Sequence, residues 1–235
     1  MAVFEFKKFS VDDSSCGMKI CSDSVLLAAW FFPNHSEAQS IVDVGAGSGV
    51  LALLGAECCP DAAVVGLELD SGAASAAESN FKSSPWADRM QLVEGDFALW
   101  NPSAPVDLII SNPPYFTEGA HSADSARAAA RHQDGLSYTS LLRFGASRLS
   151  KAGALGLVSP AEFENDIVFE AEMAGLKLRR ILRVRTSPRK PVTRLLFEFS
   201  RPDGPVDDST LALRNPDGYL TAEYRALVEP FYKKI

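Results

Sequence analysis

No apolar run in this 235-residue chain approaches the roughly 18 residues of a membrane-crossing helix, which argues against a helical membrane protein. The opening segment MAVFEFKKFSVDD is charged from Glu5 onward and has no apolar stretch of signal-peptide length, so the expected location is the cytoplasm. Cysteine is scarce: Cys16, Cys21, Cys58 and Cys59 are the only four. None stands in a Cys-x-x-Cys pair and two are adjacent, a poor start for a tetrahedral metal site, so no metal is expected and the thiols read as free. No internal repeat and no long low-complexity tract is present. Hydrophobic residues at 46% and charged residues at 23% are ordinary for a globular chain with a real core. The formal charge is −7, from 23 basic and 30 acidic residues. Taken as a total, it argues against non-specific nucleic-acid binding, which depends on neutralising phosphates.

From Ser40 onward the pattern alternates. Ile41–Val44, Ala62–Leu69, Met90–Val93, Val106–Ser111 and Ala154–Val158 read as strands; Val50–Cys58, Ser71–Lys82, Ser137–Leu149 and Pro160–Ala174 read as helices. Such alternation implies a mostly parallel sheet covered on both faces. Leu176–Val184 and Arg194–Phe199, two strands in succession, imply a final antiparallel pair. Before this core, Phe4–Ile20 suggests a hairpin or irregular cap, and Ser22 reads as the N-cap of a buried helix. After it, Arg201–Asn215 reads as a surface loop and Thr221–Lys234 as a short amphipathic helix. The expected organisation is one domain: a cap over 1–36, a core over 37–200, and a loop with a helix over 201–235.

Asp43-Val44-Gly45-Ala46-Gly47-Ser48-Gly49 joins the first core strand to its helix. Glycines there allow a tight turn and close approach of a ligand to the backbone. The spacing is Gly-x-Gly-x-Gly; a dinucleotide fingerprint would need glycine where Val50 stands, and a phosphate loop would need Gly-Lys-Ser/Thr. The neighbouring charge is Asp43, which suits a ligand with a cationic end and no phosphate, such as S-adenosylmethionine. Glu68, at the end of the second strand, can accept hydrogen bonds from both ribose hydroxyls. Asp96, after the third, can take one from an adenine amino group while Phe97 packs on the ring.

Ser111-Asn112-Pro113-Pro114-Tyr115 closes the fourth strand. An Asn fixed by two prolines at a strand end is a rigid amide aimed out of the sheet. Methyl transfer to a planar conjugated amine needs such a group, because that nitrogen's lone pair is delocalised. The Asn112 side-chain oxygen and the Pro113 carbonyl can accept the amine's two N–H groups and hold the nitrogen in line with the methyl. Tyr115 can stack on the flat substrate.

These residues resemble a class I S-adenosylmethionine-dependent methyltransferase of the Asn-Pro-Pro-Tyr type, and more closely the bacterial tRNA1(Val) adenine-N6 methyltransferases. The closer likeness rests on Phe6–Phe9, Met18–Asp23 leading into Leu26–Trp30, Ser84–Arg89, Asn112–Phe116, Ala130–His132 followed by Leu136-Ser137, and Pro191–Phe199. It covers about residues 4 to 200. It implies a Rossmann-like α/β fold with a seven-stranded, mostly parallel sheet, an antiparallel last strand and helices on both faces. It further implies methylation of the adenine 3′ of the anticodon (position 37). By likeness Ser22 and Asp23 lie near the methionine end of the cofactor, and Phe116, Arg127, Arg131 and His132 border the active site on the RNA side.

Lys177–Arg194 holds eight basic residues and no acid: Lys177, Arg179, Arg180, Arg183, Arg185, Arg189, Lys190 and Arg194. Setting it aside roughly doubles the acidic excess of the remainder. Charge this segregated suggests an RNA-binding surface, with Arg189 and Lys190 in a loop near the active site. The expected partner is tRNA, with no membrane, no metal and no obligate protein partner. An rRNA adenine-N6 or guanine-N2 methyltransferase, a protein glutamine-N5 methyltransferase and a non-catalytic RNA-binding module stay open as alternatives.

Overall fold

The computed structural model describes residues 3–14, 16–17, 19–114 and 136–234. A two-stranded hairpin, β1 (Val3–Glu5) and β2 (Ser10–Asp12), comes first and pairs antiparallel. Helix α1 (Ser22–Phe31) follows, with eight of its ten residues buried. Cys21, not Ser22, precedes its first turn, and no side-chain bond caps it; the tertiary burial of Val25–Phe31 holds this helix.

The core alternates as the sequence predicts: β3 (Ser40–Val44), α2 (Val50–Cys58), β4 (Ala63–Glu68), α3 (Ser71–Lys82), β5 (Met90–Glu94), β6 (Val106–Ser111), α4 (Tyr138–Arg148), β7 (Leu149–Pro160), α5 (Glu164–Met173), β8 (Lys177–Arg185) and β9 (Val192–Ser200). The sheet order is β10-β8-β9-β7-β6-β3-β4-β5, with β10 at Asp207–Ala212. Strands β5, β4, β3, β6 and β7 are parallel, and β9 runs antiparallel to both β7 and β8. One face is covered by α1, α2, α3 and α6 (Ala222–Val228), the other by α4 and α5. Burial on both faces explains the almost unbroken apolar runs of β3, β6 and β7.

Among the described residues the sheet has eight strands rather than seven. Asp207–Ala212, inside the expected surface loop, forms β10 and pairs parallel with Arg180–Arg185 of β8. The segment is polar, so its pattern hides a strand. Its backbone pairs with β8, Leu211 is buried, and the arginines of β8 meet its acids: Asp208 lies 2.9 Å from Arg183 and Asp207 lies 3.7 Å from Arg180. Thr221 caps α6 as expected, its Oγ1 accepting from the Tyr224 N–H, but the helix ends at Val228. The two ends of the chain meet, with Phe6 bridged to Tyr232 and the Lys7 N–H donating to the Phe231 carbonyl.

Strand order reverses between β3 and β6. The glycine loop leaves the end of β3 and Asn112 leaves the end of β6, so neighbouring strands bring residues almost 70 positions apart to one edge. That edge, outside the carboxyl ends of parallel strands, is where ligands of open α/β sheets bind.

Candidate active site

A cavity of about 760 Å³ opens at this edge. It is lined by the glycine loop (Gly45–Ser48), the end of β4 (Glu68), the Gly95–Phe97 turn, Asn112 and Pro114, and on its outer side by Cys16, Lys19, Ile20 and Ser24. The volume lies in the range of cofactor pockets, roughly 300–1,000 Å³.

The loop takes its shape from three left-handed glycines, Gly45 (φ 71°), Gly47 (φ 55°) and Gly49 (φ 80°). A side chain at Gly49 would meet the Phe81 ring, and one at Gly45 would lie 2.8 Å from Leu136. The N–H groups of Gly45 and Ala46 both donate to the Leu67 carbonyl, at 2.9 and 3.0 Å. Asn80, buried in α3, holds the other side of the loop. Its Nδ2 donates to the Ser48 carbonyl (2.9 Å) and the Asp12 carbonyl (3.0 Å), and its Oδ1 accepts from the Asp12 N–H. One amide thus ties the N-terminal hairpin to the glycine loop. The sequence reading missed Asn80; its signal is an Asn inside an alanine-rich helix, where propensity disfavours it.

Glu68 lies under the loop's centre. Its Oε2 accepts from the Gly47 N–H at 2.7 Å and its Oε1 from the Asp70 N–H at 2.9 Å. Two backbone donors fix the carboxylate at the cavity wall, and each oxygen keeps a second lone pair for a ligand. Asp96 lines the same wall, with Oδ1 accepting from the Ala98 N–H at 2.8 Å, and Phe97 beside it packs edge-on against Phe144.

Two expected cofactor residues stand elsewhere. Asp43 is fully buried and does not line the cavity; its Oδ2 accepts from the Ala52 N–H at 3.0 Å, in the first turn of α2. Its Oδ1 has no hydrogen-bond partner among the described residues. Burial pushes its carboxyl up to about 7. Asp43 therefore holds the helix that follows the loop and stands behind the cavity wall. Asp23 points the other way from Ser24 on α1. It pairs with Arg194 at 3.0 Å, beside a second cavity of about 330 Å³.

Asn112 is brought to the main cavity as expected and is 9% exposed. Its Nδ2 donates to Ser24 Oγ at 2.8 Å and lies 3.3 Å from Cys21 Sγ. Beneath it, Ser111 Oγ donates to the Val44 carbonyl at 2.7 Å and locks the end of β6 to the end of β3. Tyr115, Phe116, Arg127, Arg131 and His132 lie outside the described residues.

The basic tract proves largely occupied. Arg183 binds Glu164 with both terminal nitrogens (2.8 and 2.7 Å) and also Asp208. Arg180 pairs with Glu198 at 2.9 Å and stacks over Trp30, 4.3 Å from the ring centre. Arg194 pairs with Asp23, and Lys177 lies 3.9 Å from Glu172. Arg189 and Lys190 are exposed and have no ion-pair partner among the described residues. The cysteines are free, and burial pushes Cys58 and Cys59 up to about 12 and 11, which leaves them unreactive thiols.

Comparison with known proteins agrees with this geometry. The model of the methyltransferase small domain matches residues 16–175. The tRNA1(Val) (adenine(37)-N6)-methyltransferase of Photobacterium profundum is 37% identical over 99% of this chain and 98% of its own length. Its counterpart in Shewanella amazonensis is 39% identical over 99% of each. Among solved structures, a predicted O-methyltransferase from Agrobacterium tumefaciens has the same fold, with a TM-score of 0.69 over 91% of this chain and 100% of that one, at 19% identity. At 37% and 39% identity to the two tRNA-modifying relatives along its whole length, the chain belongs to the tRNA1(Val) (adenine(37)-N6)-methyltransferase family.

Proposed function

We propose that this protein transfers a methyl group from S-adenosylmethionine to the exocyclic N6 of an adenine in tRNA, and that the adenine is position 37 of tRNA1(Val), as in the names of its relatives. The observation that carries the reading is Asn112 on the wall of the cavity that the glycine loop builds.

The residues present fit the cofactor. Among the described lining residues are three carboxylates, Glu68, Asp70 and Asp96, and one cation, Lys19. Lys19 is itself committed to Asp13, 3.5 Å away. Such a wall repels a pyrophosphate and suits a ligand bearing an ammonium and a sulfonium. Glu68 would hold the ribose hydroxyls, Asp96 the adenine amino group and Phe97 its ring, against the backbone of Gly45, Gly47 and Gly49. Asp43 supports that loop from below. The bound cofactor supplies an activated methyl group on sulfur.

This chain's own part is to present the acceptor. The target N6 is a weak nucleophile because its lone pair is delocalised into the purine. Asn112 Oδ1 and the Pro113 carbonyl accept its two N–H groups, orient the nitrogen, and stabilise the positive charge that grows on it. Pro113 and Pro114 keep those acceptors rigid, and Tyr115 stacks on the extruded base. Phe116, Arg127, Arg131, His132, Arg189 and Lys190 form the RNA side. One domain does this work in the cytoplasm.

The test is transfer of a labelled methyl group to unmodified total RNA, followed by mapping of the modified nucleoside. Label on N6 of adenine 37 in tRNA1(Val) is the expected result. Label in rRNA, on guanine N2, or in protein at glutamine would replace the reading.

A further inference from the structure

We propose that Ser24 is a positioning residue for Asn112: Ser24 Oγ accepts a hydrogen bond from Asn112 Nδ2 and so holds the amide in the orientation in which Oδ1 meets the target amine. The proposal rests on the role of Asn112 given above.

The prolines that follow Asn112 fix its backbone but leave its side-chain torsions free, and a terminal amide torsion is broad. A hydrogen bond to Ser24 narrows it. Ser24 Oγ lies 2.8 Å from Asn112 Nδ2, and Cys21 Sγ, a weaker acceptor, lies 3.3 Å from the same nitrogen. With Nδ2 held against α1, Oδ1 is the corner turned away from α1.

Ser24 is 6% exposed and Asn112 is 9% exposed, so little water is present to satisfy a misplaced donor. In that setting an unmade hydrogen bond is costly, so the amide stays with its partner. The hydroxyl is not spent on starting the helix, because α1 has no side-chain cap. Its one other polar neighbour is Cys21 Sγ at 3.7 Å among the described residues. Both Ser24 and Asn112 line the main cavity, so the pair sits where the acceptor must enter.

The experiment compares wild type, Ser24→Ala, Ser24→Thr and Asn112→Ala for kcat, RNA KM and cofactor Kd, with melting temperatures alongside. Alanine suits a helix, so Ser24→Ala should melt near wild type. Its kcat should fall at least about tenfold, while KM and cofactor Kd stay within about twofold. Ser24→Thr, which keeps the hydroxyl, should recover most of that loss. An unchanged kcat in Ser24→Ala, a loss confined to cofactor Kd, or a stably folded Ser24→Thr no better than Ser24→Ala would overturn the proposal. Normal turnover by Asn112→Ala would instead remove the reading of Asn112 itself. A dead Asn112→Ala beside a normal Ser24→Ala removes the Ser24 proposal alone.

Discussion

At the scale of the residue, two buried polar side chains near the cavity have different jobs. Asn112 faces it and, in the proposed reaction, holds the acceptor amine. Its replacement by alanine should lower kcat by at least about a hundredfold, since it removes an acceptor that strengthens as charge develops. Cofactor affinity should hold, because Glu68, Asp96 and the glycine loop are untouched; equilibrium binding and single-turnover transfer check both halves. Asp43 lies behind the loop and titrates instead. Burial raises its carboxyl to about 7, against the pull of the Ala52 N–H, with Glu68 pushing the same way as burial. A carboxyl raised on folding keeps its proton where the unfolded chain has lost it. The stability it contributes is therefore full below the ordinary value of 3.8 and is lost as pH rises to about 7, with no further change above. Asp43→Asn in the cofactor-free protein should gain on wild type across that window. Urea unfolding at about pH 4 and about pH 8 measures it, and an equal gap at both would show that Asp43 does not titrate there.

At the scale of the element, most of the core strands and helices were legible because each carries its own period or its own cap. The three glycines mark the β3–α2 turn, and Ser137 caps α4 through the Ser140 N–H. β10 was not legible, because its partner strand supplies what it lacks. Asp207 and Asp208 make no apolar pattern; they join the sheet opposite Arg180 and Ile181, and their charges meet Arg180 and Arg183. Burial and ion pairing can be told apart there. Leu211, 5% exposed, should cost about 2–3 kcal/mol on replacement by alanine. Asp208→Ala should cost under about 1 kcal/mol, since its side chain is 50% exposed and such pairs are worth little. Chemical denaturation of the two variants gives the comparison; a larger loss at Asp208 would mean that charge, not packing, holds the edge strand.

At the scale of the whole molecule, charge had to be located before it could be interpreted. The total of −7 and the run of eight basic residues point in opposite directions. The fold reconciles them by pairing Arg180, Arg183 and Arg194 with Glu198, Glu164 and Asp23. The surface left for RNA is smaller than the tract suggests. Replacing Arg189 and Lys190 together by alanine should weaken RNA binding and flatten its dependence on salt, by about two phosphate contacts at most. Arg183→Ala should leave the salt slope alone and lower stability instead, because Glu164 and Asp208 already hold that guanidinium. Binding titrations at several salt concentrations decide it; an unchanged slope in the double variant would take Arg189 and Lys190 off the RNA surface.

The sequence by itself determined the alternation of strands and helices, the glycine turn and the rigid Asn-Pro-Pro corner. All of these depend on local periodicity or on backbone freedom at single positions. Only the tertiary structure decided which acids face the cavity, which arginines remain exposed, and which side chains orient Asn112. Asp43 and Glu68 look alike in sequence, each an acid at or near a strand's end. One is sealed beneath the loop and the other lies on the cavity wall, because a strand end shows a side chain to the edge or to a helix according to its neighbours. Ser24 and Asn80 carry no motif at all; their roles come from partners 88 and 32 residues away.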